Sequence, residues 1–478
     1  MKRKICLLLA VMAFMALPLA ASAAEFTLGG QIALYSIWDS TQTNGNLTNL
    51  INRNNDPNFQ HGRLKFSAEK SRLFFLMKGP QLWGAQTSGY IEFDFDNSMN
   101  VTTAAGSLGT SPQKARIGLR HAFFRLNWPS VELLMGQYWS LLTEDIPDVA
   151  NPGSDAGWGN PYFREPQIRV SYKCDPFDFA LAISEPSNGQ QGTTLDPSQQ
   201  NNGNIYDGES AETPRVTGRL KYEADLWGKA PYYGKPRGFS ARLASSWQRT
   251  RFRAFSSTQA RTFGQNDWET VIVTQNNQIY LNNWIVEGSM FIPVIPTYSK
   301  NLAGTASILT QWWVGAGMDI WFEDAPNNAS FLTWQGLGNG SGTDPWQYDR
   351  QLMKRYGGFI QGQYYFTNEW YLNAVWGMNK AFGVPQNTDP GRITEANPNG
   401  YTLATIAPNS DLLKMNQQYN LALWYRPIQA LKFGLEYTYM RSDFFQKAGP
   451  SIGANPHGVN TTDLGENHRL MFCGFFFF

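Results

Sequence analysis

Apolar and polar residues alternate one for one through much of this chain. From Tyr90 to Asp96, Ile91, Phe93 and Phe95 interleave with Glu92, Asp94 and Asp96. From Gln167 to Lys173, Ile168, Val170 and Tyr172 interleave with Gln167, Arg169, Ser171 and Lys173. The same holds from Arg215 to Tyr222 and from Leu431 to Tyr439. Period-two alternation with one wholly apolar face predicts half-buried β-strands, and helical periodicity is largely absent. A soluble β-sandwich would alternate in the same way, so this pattern sets the class as all-β and leaves the surrounding solvent open.

The links between strands separate the two cases. Very short turns, such as Asn127 to Ser130, Cys174 to Pro176, Thr367-Asn368 and Pro427 to Ala430, alternate with long Gly/Asn/Pro/Ser-rich stretches. The long ones include Glu185 to Glu212, Ala381 to Asp411 and Ser442 to Gly465. A transmembrane up-and-down antiparallel β-barrel with short periplasmic turns and long external loops requires this alternation, and a sandwich has no reason for it. The pattern predicts about sixteen strands, an even number as bacterial barrels prefer. They begin near Glu25, Leu64, Gly84, Ala115, Val131, Pro166, Pro176, Thr213, Gly238, Asn282, Leu302, Arg355, Glu369, Asn416, Leu431 and Asn467. Two turns, Ala224 to Arg237 and Pro293 to Asn301, are longer than the pattern wants.

Both ends of the chain agree with a barrel in lipid. At the carboxyl end, Leu470, Phe472, Phe476 and the terminal Phe478 fall on one face of an extended strand. In water such a strand is an aggregation hazard; in a barrel it is the closing strand of an outer-membrane protein. Lys2, Arg3 and Lys4, the apolar run Ile5 to Leu19 and Ala21-Ser22-Ala23 make a secretory signal peptide, expected to occupy residues 1–23. Residues 24–478 are then one β-barrel domain. No later run is long enough for a spanning helix, so a membrane location implies a barrel. Trp128, Trp247, Trp284, Trp370, Trp424, Tyr425 and Tyr439 lie near predicted strand ends, where amphipathic rings suit the lipid headgroup level.

Composition narrows the picture further. Of 478 residues, 42% are hydrophobic and 14% aromatic, as expected of apolar outer faces, a polar interior and hydrophilic loops. Loss of three cations with the leader brings the 39 Lys and Arg close to balance with the 38 Asp and Glu, which argues against a nucleic-acid partner. Cys6 leaves with the leader, and Cys174 and Cys473 fall on well-separated strands, so both are expected to be free. No metal-type cysteine spacing and no haem-attachment motif occurs, and no cofactor is expected. His61, His121, His457 and His468 are scattered, no G-x-S-x-G or H-E-x-x-H is present, and catalysis is not expected.

A barrel of this width is too large for wall side chains to fill and leaves an aqueous channel. Interior-facing positions on the fourth, sixth, eighth and ninth strands carry Arg116, Arg120, Arg169, Lys173, Arg215, Arg219, Lys221 and Arg242. Basic groups in a low-dielectric tube favour small anions, and guanidinium forks match carboxylates. The competing reading is that they pair with Glu92, Asp94, Asp96 or loop carboxylates and only keep the wall hydrated. The third long link, Ser140 to Glu165, stands where sixteen-stranded barrels commonly fold a loop inward to narrow the tube, and from sequence alone an ordinary solvated acidic loop fits equally well. Its Glu144, Asp145, Asp148 and Asp155 would face the basic wall, with Pro147, Pro152 and Pro161 limiting its freedom.

Leu119-Arg120-His121-Ala122-Phe123, Gly136-Gln137-Tyr138-Trp139-Ser140 and Arg164-Glu165-Pro166-Gln167-Ile168-Arg169 together resemble the DcaP-like outer-membrane porins. The resemblance spans mainly Ala115 to Pro186. It implies a sixteen-stranded homotrimeric porin, set in outer-membrane lipid and lipopolysaccharide of a Gram-negative bacterium, that passes small organic anions. It also implies that Arg120, Arg164 and Arg169 line or border the pore. That family often has a periplasmic helical segment before the barrel, whereas here the first strand is expected almost at once. The expected function is passive diffusion of small hydrophilic solutes with an anion preference. The alternatives are the barrel sheath of a porin–cytochrome electron conduit and an outer-membrane barrel enzyme.

Overall fold

The first and last strands pair with each other. Gln31 to Asp39 lie antiparallel to Phe477 to Arg469, while the other edge of the first strand pairs with Lys78 to Arg72 and Ser67 to Arg63. Every strand between them is antiparallel to its neighbours in sequence order, so the sheet is a closed barrel of 16 strands. The computed structural model describes residues 25–43, 51–55, 59–103, 106–150, 159–186, 206–207, 211–252, 255–263, 267–275, 279–322, 331–335, 346–383, 413–444 and 462–478. The proposed leader, residues 1–23, lies outside them.

The barrel strands are Glu25–Asp39, Arg63–Ser67 continued by Arg72–Leu82, Ala85–Thr103, Gly106–Asn127, Val131–Trp139, Arg164–Cys174, Phe177–Ser184, Arg215–Ala224, Phe239–Phe252, Ile279–Ile295, Ala306–Ala316, Lys354–Tyr365, Trp370–Gly383, Leu413–Ile428, Leu431–Phe444 and Leu464–Phe477. Each contains or lies close to a strand start expected from sequence. A separate four-stranded sheet (Phe255–Phe263, Asp267–Gln275, Phe331–Gln335, Trp346–Gln351) is built from two of the long links. Glu25, Phe478 and the short turns share one end, which the barrel convention makes periplasmic.

Burial along the strands is inverted relative to a water-soluble protein. Ile168 is 50% exposed and the neighbouring Arg169 only 8%. Phe177, Phe179, Leu181 and Ile183 face out, while Ala180, Ala182 and Ser184 face in. Leu435 and Tyr437 face out, while Glu436 and Thr438 face in. Leu470, Phe472, Phe476 and Phe478 form an exposed row on the closing strand. An apolar exterior on a closed sheet has one stable surrounding, a lipid bilayer, because closure leaves no unpaired backbone edge. Among the described residues no helix is long and apolar enough to cross a membrane, and the strands do the crossing.

The aromatic expectations divide. Trp247 and Trp284 are cross-strand partners on the outer face, and Trp370 stacks on Tyr425 at 4.4 Å beside the periplasmic turns. Trp424 is a correction: it is 1% exposed and faces the interior, with the Lys432 ammonium 3.6 Å over its ring. Its strand alternation sets this, since Glu436 lies opposite inward Ala422, two residues from Trp424. Cys174 and Cys473 are both free, the first exposed and the second buried.

Candidate pore constriction

After Trp139 the chain leaves the wall and folds inward. Gly136, three residues earlier, has φ +128°, and a Cβ there would collide with the Ala122 carbonyl and Phe123, so the Gly of the G-Q-x-W-S segment is a backbone requirement. The two ends of the inward loop are pinned together: Ser140 N–H donates to Phe163 O at 3.2 Å, and the Thr143 hydroxyl donates to Pro161 O at 2.7 Å. Between them the loop crosses the barrel. Arg242 donates to Leu141 O at 2.8 Å near the start of the crossing. At its far side Asp148 N–H donates to Gln361 Oε1 at 2.7 Å, Asn373 Nδ2 donates to Asp148 O at 2.6 Å, and Ala150 N–H donates to Glu436 Oε2 at 2.7 Å.

Its carboxylates carry the anchoring. Asp145 is bound by Arg237 at 2.9 Å, by Arg242 at 3.4 Å and by the Ser289 hydroxyl at 2.5 Å. Burial alone would raise the Asp145 carboxyl, but the two guanidiniums and the hydroxyl outweigh burial and hold it below the ordinary carboxylate range. Asp148 accepts from Lys432 Nζ at 2.7 Å and from the Tyr371 hydroxyl at 3.0 Å. Glu144 pairs with Arg219. Asp155 and Pro152 lie outside the described residues.

The basic wall is compensated by carboxylates. Arg120 binds Glu92 and Asp94, each at 2.6 Å. Arg169 meets Glu132 at 3.3 Å, Arg215 meets Glu165 at 2.8 Å, and Arg219 also binds Asp178. Arg242 adds Glu287 at 2.5 Å to its loop contacts. A cation within a low-dielectric wall is costly without a partner, so each of these guanidiniums has one. Lys173 sits by the periplasmic turn, largely exposed, 3.4 Å from Asp175. Arg164 is half-buried with its guanidinium 5.0 Å from the Trp139 ring centre. The side chain of Arg116 lies outside the described residues.

Arg120 reaches the interior through a β-bulge. Glu92 pairs with His121 and Phe93 with Leu119, so Arg120 is the extra residue and both it and His121 turn inward. His121 is packed among the rings of Tyr90, Phe123, Tyr138 and Trp139. Arg125 lies over Phe123 at 4.6 Å and over Tyr138 at 4.9 Å. Glu92, Phe123, Arg125, Glu132, Tyr138, Asp178 and Arg219, on strands between Ala85 and Ala224, are inward residues that water still reaches. On the opposite wall Gln311, Gln361, Asn373 and Glu436 are fully covered. There the interior contains Leu142, Phe163 and Trp321 packed on Ile285 and Trp313.

The chain shares its architecture with a solved outer-membrane channel. The outer-membrane channel DcaP of Acinetobacter baumannii superposes with a TM-score of 0.58 at 14% identity, over 95% of this chain and 98% of that one. This chain has the fold of a DcaP-like porin. OprB of Pseudomonas putida is similar at a TM-score of 0.49 and 10% identity, over 95% of this chain and 94% of that one. OmpT of Vibrio cholerae in its trimer form is similar at 0.48 and 10%, over 96% and 100%. No protein-family model matches the sequence, and no curated protein matches it either.

Several residues that build this constriction were not singled out as site residues from the sequence. Lys432 and Glu436 stand on the polar face of a strand whose alternation was evident, but nothing in their spacing signals that the loop docks on them. Glu287 sits in a strand of mixed polarity, and its partner Arg242 is its only sequence-level hint. Arg237 and Tyr232 lie in the turn noted as too long, and that excess length was the available signal.

Proposed function

We propose that this chain is a passive diffusion porin for small hydrophilic solutes, with a mild preference for small organic anions. The observation that carries the reading is a lipid-facing barrel whose own loop crosses the interior and leaves a water-accessible strip beside Arg125, Arg164 and Arg219. The guanidiniums of Arg125 and Arg164 stack on Phe123, Tyr138 and Trp139 along this strip, and guanidinium geometry matches that of a carboxylate. Glu92, Asp94, Glu132 and Asp178 compensate most of this charge, so the preference is a bias and cations still pass. Assembly as a homotrimer in lipid and lipopolysaccharide belongs to the same reading. A barrel that sheathes a multihaem partner needs an empty interior, and this one holds segments of its own chain.

The test is a reversal potential across a planar bilayer in a salt gradient. The wild type is expected to be weakly anion-selective, and Arg120→Ala with Arg169→Ala is expected to shift the potential toward cations. Selectivity that does not move removes the anion preference and leaves the channel. Absence of any conductance removes the channel.

A further inference from the structure

The periplasmic turn between Ala224 and Phe239 is a hairpin that folds up into the barrel. Ala230–Tyr232 pair with Lys235–Arg237, and Tyr233 (φ 50°) with Gly234 (φ 76°) supplies the tight turn that both left-handed residues allow. Its stem is fixed to the neighbouring long turn: Lys229 N–H donates to Thr297 O at 3.0 Å, and Thr297 N–H donates to Lys229 O at 2.7 Å. The inward Ser307 hydroxyl donates to Pro231 O at 3.3 Å, and Ala230 is fully buried. Tyr232 packs edge-on against inward Phe291 at 5.9 Å. At the tip, a Cβ on Gly234 would stand 3.2 Å from an Arg426 guanidinium nitrogen, so the hairpin reaches strands well beyond its own neighbours.

The hairpin also touches the inward loop. Ile146 N–H donates to the Tyr232 hydroxyl at 3.1 Å, the Tyr233 hydroxyl donates to Pro147 O at 3.0 Å, and Arg237 holds Asp145 at 2.9 Å. Three consecutive loop residues are therefore held from the periplasmic side. Beside the hairpin a cavity of about 390 Å³ remains, lined by Lys173, Asp178, Lys221, Glu223 and Arg237 among others.

We propose that this hairpin is the lower half of the constriction: it clamps the inward loop at Asp145 to Pro147 and closes one side of the periplasmic mouth, so that solutes leave through the charged cavity beside it. Tyr232, Tyr233 and Arg237 are then positioning residues for the pore's cross-section. The inference rests on the porin reading above.

Ala224 and Phe239 face each other in the ladder, so an Asn-Gly turn can join them directly in place of residues 225–238. The excised barrel, its folding checked by heat-modifiable electrophoretic mobility, is expected to conduct about two-fold more or better per channel, since a wider exit passes more current. A folded excised barrel with wild-type conductance overturns the proposal. Should excision prevent folding, Tyr232→Phe with Tyr233→Phe removes only the hydroxyls, and hydrogen exchange of the peptide spanning residues 141–150 is expected to speed up. Unchanged exchange overturns the clamp. If the wild type conducts nothing, the porin reading fails, and the exchange comparison still decides the clamp by itself.

Discussion

The Lys432 ammonium lies 2.7 Å from the Asp148 carboxylate and 3.6 Å over the Trp424 ring, which fixes the far end of a loop that begins on the opposite side of the barrel. Both side chains are nearly out of contact with water. Removing one member of such a pair leaves the other charge buried without compensation, at a cost of about 3–5 kcal/mol. Lys432→Ala is therefore expected to release the loop locally. Single-channel records of the variant should show added current noise and sub-conductance levels, and a variant trace as quiet as the wild type would show that the hydrogen bonds to Gln361 and Glu436 and from Asn373 suffice.

Acid should leave the other anchor intact until the pH is very low. The Asp145 carboxyl is held below its ordinary value of 3.8. A depressed carboxylate contributes stability that is present above the ordinary value and is lost as pH falls through the depressed one. The Asp145 contribution to loop anchoring is thus expected to be constant from neutral pH down to about the ordinary carboxylate value, and to be lost only below it. Asp145→Asn should abolish that acid-side change, and a pH titration of single-channel current measures both.

Charge at the loop's accessible edge should tune selectivity in the direction opposite to loss of wall arginines. Glu144 is 28% exposed and pairs with Arg219. Glu144→Gln keeps the shape and removes one of the two carboxylates paired with Arg219, so the reversal potential in a salt gradient is expected to move toward anions. A potential unchanged within error would mean that Arg219 is neutralised by Asp178 alone.

The outer face offers a test of the lipid assignment itself. Leu181 is 54% exposed on a strand whose inward neighbours are Ala180 and Ala182. Leu181→Arg is expected to destabilise the barrel by about 2–4 kcal/mol if that site is near the bilayer midplane. Reversible unfolding from liposomes in denaturant measures it. The same change on a water-exposed surface would cost almost nothing.

Alternation made the wall legible because side-chain period in a strand is fixed by the backbone, and one slip would turn every apolar residue inward. Leu431 to Tyr439 and Gln167 to Lys173 show this directly. The inward loop was expected only from its place as the third long link of such a barrel, because nothing in its own spacing distinguishes it from a solvated acidic loop. What one strand cannot encode is which side chain from another part of the barrel will meet it. Arg120 pairing with Glu92 and Asp94 was one of two open readings, while Lys432 with Asp148 joins residues far apart in sequence and left no local trace. Trp424 was misplaced because aromatic residues near a strand end suit a headgroup and an interior equally well, and only register separates them.

The seam between Gln31–Asp39 and Arg469–Phe477 makes assembly an all-or-none event. Until the final residues have emerged from the ribosome and crossed the inner membrane, the sheet has two raw margins, each a row of amides and carbonyls with no mate. Hydrocarbon gives those groups nothing to bond. A shortened product lacking just the ultimate strand would therefore be trapped on the watery side of the bilayer, a substrate for proteases instead of a narrower pore.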